Sequence, residues 1–250
     1  MVLAQPAKLF IGLNRCASSS LVPSTDILMN VKDVIEKGAL IYECISGSAA
    51  YGTWIDGDSI DTRGVFIENA NPTNHVHDIR ESIHYYQLGY FFDMLKLGDW
   101  KVFDMLYTQE HFQLKTSRYW QKVIDNIGLF ISKDISKGLT INAREFINNW
   151  EKASQRPEFV TKYRKNSYKQ FRADHDIYRA YHGYRSLVMG INLLELGSIN
   201  VKLKKSDRDF MISIKEGKVP LKDSLPAVKT NLNHFNSLIM DSSLAPHADG

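Results

Sequence analysis

The sequence predicts an α+β protein in which a domain with a short mixed sheet packs against a C-terminal helical domain. Strand-like runs alternate with helical patterns between about residues 27 and 90, and from there to about residue 215 the apolar residues recur at helical spacing. No linker rich in Pro, Gly or Ser separates the two parts, so we expect them to be packed together.

Residues 26–110 hold the elements of the predicted sheet-containing domain. A helical pattern ends at Lys37-Gly38, a frequent C-terminal signal. The elements that follow are a strand over 39–45, a turn of small residues over 46–50, a strand over 64–68, a polar loop over 69–74, and a strand over 82–87 that leads into an apolar helix. No strand pattern is found beyond this helix, so the boundary of the domain is predicted near residue 110.

The rest of the chain is assigned to a helical domain over residues 111–240 and a tail over 241–250. Apolar residues recur at helical spacing in three stretches, 123–131, 146–150 and 177–194. At the other end, residues 1–25 contain no acidic residue and carry two basic ones. We interpret them as an N-terminal arm that is poorly ordered or loosely docked, and the alternative is an organelle transit peptide.

The composition is that of an ordinary globular protein, with 44% hydrophobic and 24% charged residues. The net charge of +3 is too small to indicate a nucleic-acid binder by itself, so any anion site must be local. No apolar run approaches the roughly 20 residues of a membrane span. Two cysteines, Cys16 and Cys44, are too few for a disulfide framework. From these observations together we predict a soluble, cytoplasmic protein that binds no membrane.

One segment carries residues that suit phosphate chemistry. Gly47 and Ser48 follow a predicted strand, and such a pair at the start of a helix offers backbone N–H groups and a hydroxyl to a phosphate. Asp58 and Asp61 lie at the next strand, and Mg²⁺ binds one or two carboxylates together with phosphate oxygens and water. Alone, the Gly-Ser pair indicates only a tight turn and the aspartates a surface loop. Their combination with Arg63 favours phosphoryl or nucleotidyl transfer.

The stretch from Ser46 to Val65 resembles the GS-x-AYG … SD-x-D-x-RGV signature of predicted nucleotidyltransferases of the DNA polymerase β superfamily, the group found beside RNA ligases in phages and bacteria. In that family the Gly-Ser pair binds the triphosphate, and two aspartates one residue apart bind two metal ions. The resemblance covers roughly residues 40 to 220 and includes a His-x-x-Arg pattern at His182 and Arg185. It implies a nucleotidyltransferase-like fold, an NTP as partner, and Mg²⁺, with Mn²⁺ as an alternative, as cofactor.

Three positions depart from the family pattern. The first metal aspartate falls on Ser59, and Asp58 stands where a serine is expected. Because successive strand residues point to opposite faces, Asp58 on a regular strand faces away from Asp61, and a bulge or loop is needed to bring it into the site. A third carboxylate of the superfamily falls near His84. Two-metal catalysis requires ligands about both ions, so nucleotide binding without turnover is the alternative to an active enzyme.

Several cationic residues are further candidates for the site. Arg63 shares the strand face of Asp61, where its guanidinium either contacts phosphate or forms a structural ion pair. The resemblance places His182 and Arg185 at the nucleotide, and the alternative is a core histidine beside a solvated arginine. Residues 162–172 hold five basic and three aromatic side chains, which suits RNA or DNA, although a solvated helix face with a buried aromatic side is commoner.

We therefore expect a nucleotidyltransferase-like protein that transfers a nucleoside monophosphate from an NTP to a hydroxyl of a nucleic-acid end or a protein. Its expected catalytic and metal-binding residues are Asp61 and Asp58, and its expected nucleotide-binding residues are Gly47, Ser48, Arg63, His182 and Arg185. For this chemistry the two motifs must share one cleft. Two alternatives stay open: a nucleotide- or partner-binding protein that has lost catalysis, and a likeness of fold alone. RNA or DNA is a candidate second partner, and the oligomeric state is left open.

Overall fold

The computed structural model describes residues 30–68, 75–154 and 168–248, with only the backbone described for 153–154 and 168–175. Within these ranges the chain is a mixed α+β protein in which a five-stranded sheet is followed by helices. The predicted N-terminal arm and the predicted polar loop over 69–74 lie outside the described residues. No helix in the described ranges combines the length and the apolar character needed to cross a membrane.

The described secondary structure comprises strands and α-helices that we number in chain order. The strands are β1 (Leu40–Ser46), β2 (Asp61–Phe66), β3 (His75–Asp78), β4 (Ile83–Gln87) and β5 (Gln113–Lys115). The helices are α1 (Val31–Glu36), α2 (Gly47–Tyr51), α3 (Leu88–Lys96), α4 (Trp100–Phe103), α5 (Arg118–Asp125), α6 (Ile135–Ser154), α7 (Tyr168–Leu196), α8 (Lys205–Lys215) and α9 (Leu221–Asp241). Single 3₁₀ turns cover Asp104–Tyr107, Glu110–Phe112 and Ile127–Phe130.

The sheet has the strand order β3-β4-β2-β1-β5. Only the β2–β4 pair is parallel, and the other three pairs are antiparallel. β2 begins three residues before the predicted position, because Asp61 is already paired with Ser46 of β1 and Thr62 with Ile83 of β4. The motif aspartate therefore lies at the start of a central strand.

Two strands were missed from the sequence, and the expectation that no strand follows the apolar helix after residue 87 is wrong, because β5 does. β3 is a short, polar edge strand whose His-Val-His-Asp sequence has only one buried apolar side chain, Val76. β5 has three residues and is largely exposed at the opposite edge, paired with β1. Such strands have little apolar periodicity because they bury little surface. β5 lies just beyond the predicted boundary near residue 110.

Both faces of the sheet are covered. One face packs against α1, which begins with a capping box between Asn30 and Asp33. This smaller core contains Val34, Leu40, Phe66, Val76 and Tyr85. The other face belongs to a large core that runs without interruption from the strands into the helices, as the stacked rings of Tyr42 and Trp120 illustrate at 3.9 Å. The sheet and the helical part therefore share one core.

Close backbone approaches fix α6 against its neighbours. An added Cβ at Gly183 of α7 would lie 2.7 Å from the backbone nitrogen of Ala143, so α6 and α7 pack with almost no space between them. At the start of α6, the Gly138 N–H donates to the Leu97 carbonyl at 2.8 Å. A Cβ at Gly98 would lie 2.2 Å from the Ile135 carbonyl oxygen, so the turn between α3 and α4 is pressed onto α6.

The segment predicted as a tail is docked where it is described. α9 ends at Asp241, and the Lys133 N–H then donates to the Ala245 carbonyl at 2.9 Å. His247 Nδ1 lies 2.8 Å from the carboxylate of Asp134. These contacts hold the chain beyond α9 against the residues that precede α6.

Candidate functional site

A cleft of about 710 Å³ lies where the sheet, α2 and α3 face α7 and α8. Polar and charged residues at its sheet side are Ser48, Asp58, Ser59, Asp61, Arg63, His75 and His84. Aromatic residues from both sides form much of the remaining wall, namely Tyr51, Tyr86, Tyr90, Trp100, Tyr178 and Tyr181. The cleft is therefore lined by aromatic rings together with charged side chains from the sheet side, α4 and α8.

The two sequence motifs meet in this cleft, as predicted. Gly47 is the first residue of α2, directly after β1, and Asp61 opens the adjacent strand β2. A Cβ added at Gly47 would lie 2.2 Å from Asp61 Oδ2, and the residue has a φ of 66°. Both the backbone angle and the space therefore require glycine. Within the described residues the Asp61 carboxylate has no hydrogen bond or salt bridge, so it remains available to a ligand.

Asp58 lies in the loop before β2, so the loop alternative accounts for its presence in the cleft. Its carboxylate accepts hydrogen bonds from Lys215 of α8 and, at 3.1 Å, from the Ile55 N–H. Burial acts to raise the pKa of Asp58, but the hydrogen bonds from Lys215, Ile55 and Ser48 outweigh it and the pKa is lowered. This ionised carboxylate is already neutralised by a lysine, unlike Asp61.

A buried charge network lies directly beneath the cleft. Arg185 Nη1 is 2.9 Å from both carboxylate oxygens of Asp104, and the two side chains are 0% and 2% exposed. Arg63 Nη1 lies 3.7 Å from the same carboxylate, and the Tyr51 hydroxyl donates to it. One aspartate thus joins β2, α2 and α7.

Arg185 occupies neither of the two places considered for it in the sequence. It does not line the cleft and it is not solvated, because its guanidinium lies between the rings of Tyr51 and Trp100, 4.0 and 4.6 Å from their centroids. Burial opposes its charge, but Asp104 and Tyr51 outweigh burial and raise the pKa of Arg185. Its Nε and Nη2 atoms have no hydrogen-bond partner among the described residues.

Arg63 does line the cleft, and its structural partner is Asp104 rather than Asp61. Its Nη1 donates to the Lys101 carbonyl at 2.6 Å, and the side chain is almost fully buried. The guanidinium remains charged, since the surrounding Tyr51, Tyr86 and Asp104 raise its pKa against the effect of burial. Arg63 therefore presents one edge of its fixed, charged guanidinium to the cleft from β2.

His182 lines the opposite wall. Its ring stacks on Trp100 with 4.4 Å between centroids, and its Nδ1 atom is buried with no hydrogen-bond partner in the described part of the chain. Burial, reinforced by Arg185 and Arg63, lowers the pKa of His182 well below its usual value. The side chain is therefore a neutral ring at neutral pH, which supplies hydrogen-bonding capacity but no positive charge.

A group of stacked histidines lies at the edge of the cleft. His84 of β4 lies opposite His77 of β3, and its Nδ1 is 3.3 Å from Nε2 of His75. Burial and the neighbouring histidines lower the pKa of His75 to about 4, and burial and Arg63 lower the pKa of His84. His75 and His84 are therefore uncharged at neutral pH, and neither supplies a carboxylate.

Two site residues, Lys101 and Lys215, were not singled out from the sequence. Both line the cleft, one from the start of α4 and one from the end of α8. A signal existed for Lys215, because it stands in an Ile-Lys-Glu-Gly segment within the reach of the family resemblance. The basic stretch over 162–172 cannot be placed at the site, since 162–167 lie outside the described residues and only the backbone is described for 168–172.

The fit of the site to Mg²⁺ is limited to one ion. No group of three or more His, Cys, Asp or Glu side chains in the described ranges is arranged to hold a metal. The single free carboxylate of Asp61 suits Mg²⁺, which takes one or two carboxylates and fills its shell with phosphate oxygens and water. A second ion would require Asp58 to leave Lys215.

No family model matches the chain, and a search of curated proteins gives no significant match.

We expect Gly47→Ala to cost more stability than Gly38→Ala. Both glycines have left-handed φ values, 66° and 64°, so both substitutions add backbone strain of about 1–2 kcal/mol. An added Cβ meets nothing within 4 Å at Gly38, whereas at Gly47 it collides with Asp61. Urea unfolding of both variants measures the difference. Equal losses of unfolding free energy would contradict the close approach.

Arg185→Ala should lower the free energy of unfolding by about 3–5 kcal/mol, because the buried Asp104 carboxylate loses its nearest cationic partner. The matched control is Arg179→Ala on the same helix. That arginine pairs with Glu145 at 2.8 Å, but both side chains are partly exposed, so about 0.2–1 kcal/mol is expected. The two values come from denaturant titrations, and a small loss for Arg185→Ala would show that the pair contributes little.

Proposed function

We propose that the cleft binds a nucleoside triphosphate and that the protein is nucleotidyltransferase-like, transferring a nucleoside monophosphate to a hydroxyl acceptor. One observation carries the proposal. Gly47 and Asp61 face each other so closely that only glycine fits, and the Asp61 carboxylate is left without a partner among the described residues. A free carboxylate beside a Gly-Ser turn at a helix start suits a metal-bound triphosphate.

The charges around the cleft also suit a polyphosphate. Among the described residues, Arg63, Lys101 and Lys215 line it together with two carboxylates, Asp58 and Asp61. The Ser48 hydroxyl also lines the cleft and interacts with Asp58. Arg63 is held rigidly by Asp104, so it contributes to phosphate binding without having to be ordered first.

The aromatic wall supports a place for the nucleobase. Tyr86 and Tyr181 line the cleft from β4 and α7. Nucleobases stack on such rings with little dependence on base identity. A triphosphate beside Ser48 and Asp61 and a base on these rings together match the lining of the cleft.

In the proposed reaction an acceptor hydroxyl oxygen bonds to the α-phosphorus. The bond between that phosphorus and the bridging oxygen breaks, pyrophosphate leaves, and the hydroxyl proton passes to solvent. When bound, Mg²⁺ supplies charge neutralisation of the phosphate oxygens. Asp61 is the residue that would hold it, while Arg63 and Lys215 would stabilise the negative charge on the phosphates.

A second candidate is a nucleotide-binding protein without turnover. The pairing of Asp58 with Lys215 favours it, because it leaves one carboxylate rather than two for metal ions. Ser59 and His84, which stand where the family has acids, both line the cleft without adding negative charge. The two candidates share the nucleotide site and differ only in whether transfer follows binding.

Asp61→Asn should weaken Mg²⁺-dependent NTP binding roughly ten- to a hundredfold, since it removes the charge that meets the metal. Asp56→Asn is the matched control, because Asp56 is exposed in the same loop and does not line the cleft. Isothermal titration with each of the four NTPs, with and without Mg²⁺, gives the affinities. Equal affinities in the wild type and Asp61→Asn, or no binding by the wild type, would refute the proposal.

Ser59→Asp distinguishes the two candidates. It places a carboxylate two residues before Asp61, and we expect Mg²⁺ affinity to rise by about an order of magnitude. The control Ile60→Asp adds the same charge at a neighbouring exposed position outside the cleft. Release of pyrophosphate from NTP is measured for both variants and the wild type. Turnover by the wild type favours the transferase, and turnover by Ser59→Asp alone favours a lapsed enzyme.

A further inference from the structure

A second cavity of about 510 Å³ adjoins the cleft. The two share part of their lining, namely Tyr90, Met94, Trp100, Lys101 and Tyr178. The second cavity continues from there towards α6, where Ile141 and Asn142 line it. A molecule in the second cavity therefore lies beside whatever occupies the cleft.

Asn142 gives this cavity a specific polar group. The residue is only 8% exposed, yet its amide makes no hydrogen bond with any described residue. The amide atoms are accessible from the cavity rather than fully buried, so a ligand can pair with them directly. The amide donates and accepts side by side, which matches the edge of a nucleobase.

The other lining residues suit the same kind of ligand. Tyr90, Trp100 and Tyr178 offer three aromatic rings for stacking. Lys101 is exposed at the shared boundary, and within the described ranges it forms no salt bridge. A nucleobase would stack on these rings, its polar edge would pair with Asn142, and a nearby phosphate would contact Lys101.

We propose that the second cavity binds a nucleoside unit, free or at the end of a nucleic-acid strand, and that a hydroxyl of this unit is the acceptor. This inference rests on the proposed function, because it assigns the hydroxyl that attacks the α-phosphorus of the bound NTP. The atoms balance as in the reaction above: a new oxygen–phosphorus bond forms, pyrophosphate leaves, and the hydroxyl proton passes to solvent. The volume is sufficient for one small molecule or one nucleotide residue.

The test fills the second cavity without changing Ser48, Asp58 or Asp61, which line only the cleft. Ile141→Trp places an indole in the second cavity, and Leu129→Trp is a matched control in neither cavity. The wild-type residues are 50% and 51% exposed, so both variants should fold, which melting curves check. Asn142→Leu removes the amide at similar size. Binding is measured by anisotropy with labelled single-stranded RNA and DNA, and by competition with free nucleosides.

We expect Ile141→Trp and Asn142→Leu to weaken nucleoside or strand binding about tenfold or more, with Leu129→Trp unchanged. If free nucleosides compete as strongly as strands do, the ligand is the free nucleoside. If only strands bind, the ligand is a strand end. NTP affinity, titrated separately, should be equal in all four proteins. If NTP binds but nucleosides and strands do not, or bind Ile141→Trp and Asn142→Leu as well as the wild type, the acceptor site is refuted. If NTP does not bind the wild type, the proposed function itself fails.

Discussion

The buried carboxylate of Asp104 is the constraint on which the cleft depends. It receives Arg185 from α7, Arg63 from β2 and the hydroxyl of Tyr51 from α2. An ion buried at this depth is tolerated only when it is paired and hydrogen-bonded. The sheet, the short helix α2 and the long helix α7 must therefore keep their relative positions for the carboxylate to remain satisfied. The positions of the cleft walls therefore depend on the buried carboxylate of Asp104 beneath them.

This arrangement also explains why Arg185 and Arg63 have different roles. Arg185 lies wholly inside, with Tyr51 and Trp100 on its faces, and contributes to the site only through the network. Arg63 takes part in the same network but also lines the cleft. The interior guanidinium supports the fold, and the one at the boundary is available to a ligand. Trp100 connects them, because its ring also contacts His182 on the opposite wall.

The sequence predicted the elements and contacts that depend on local pattern. The strand over 39–45 and the turn of small residues at Gly47 were predicted from local pattern, whereas the second strand was predicted to begin at residue 64 and begins at Asp61. The roles of Arg185 and Asp58 were not found, because their partners lie 81 and 157 residues away in the chain. A charged residue that is distant in the sequence leaves no periodic pattern from which its pairing could be predicted. The edge strands β3 and β5 were missed for a different reason, since they bury few apolar side chains.

The contact between Gly98 and Gly138 has a consequence for the second cavity. A Cβ at either glycine would lie within 2.3 Å of a backbone atom of the other segment, and a backbone cannot rotate aside as the end of a side chain does. The cavity wall at Leu97 and Gly138 is therefore main chain pressed on main chain, with a fixed width. Adaptation to ligands of different size therefore falls to side chains elsewhere in the lining, among which Tyr178 and Lys101 are exposed. The main-chain part of the wall keeps its width while these side chains adjust.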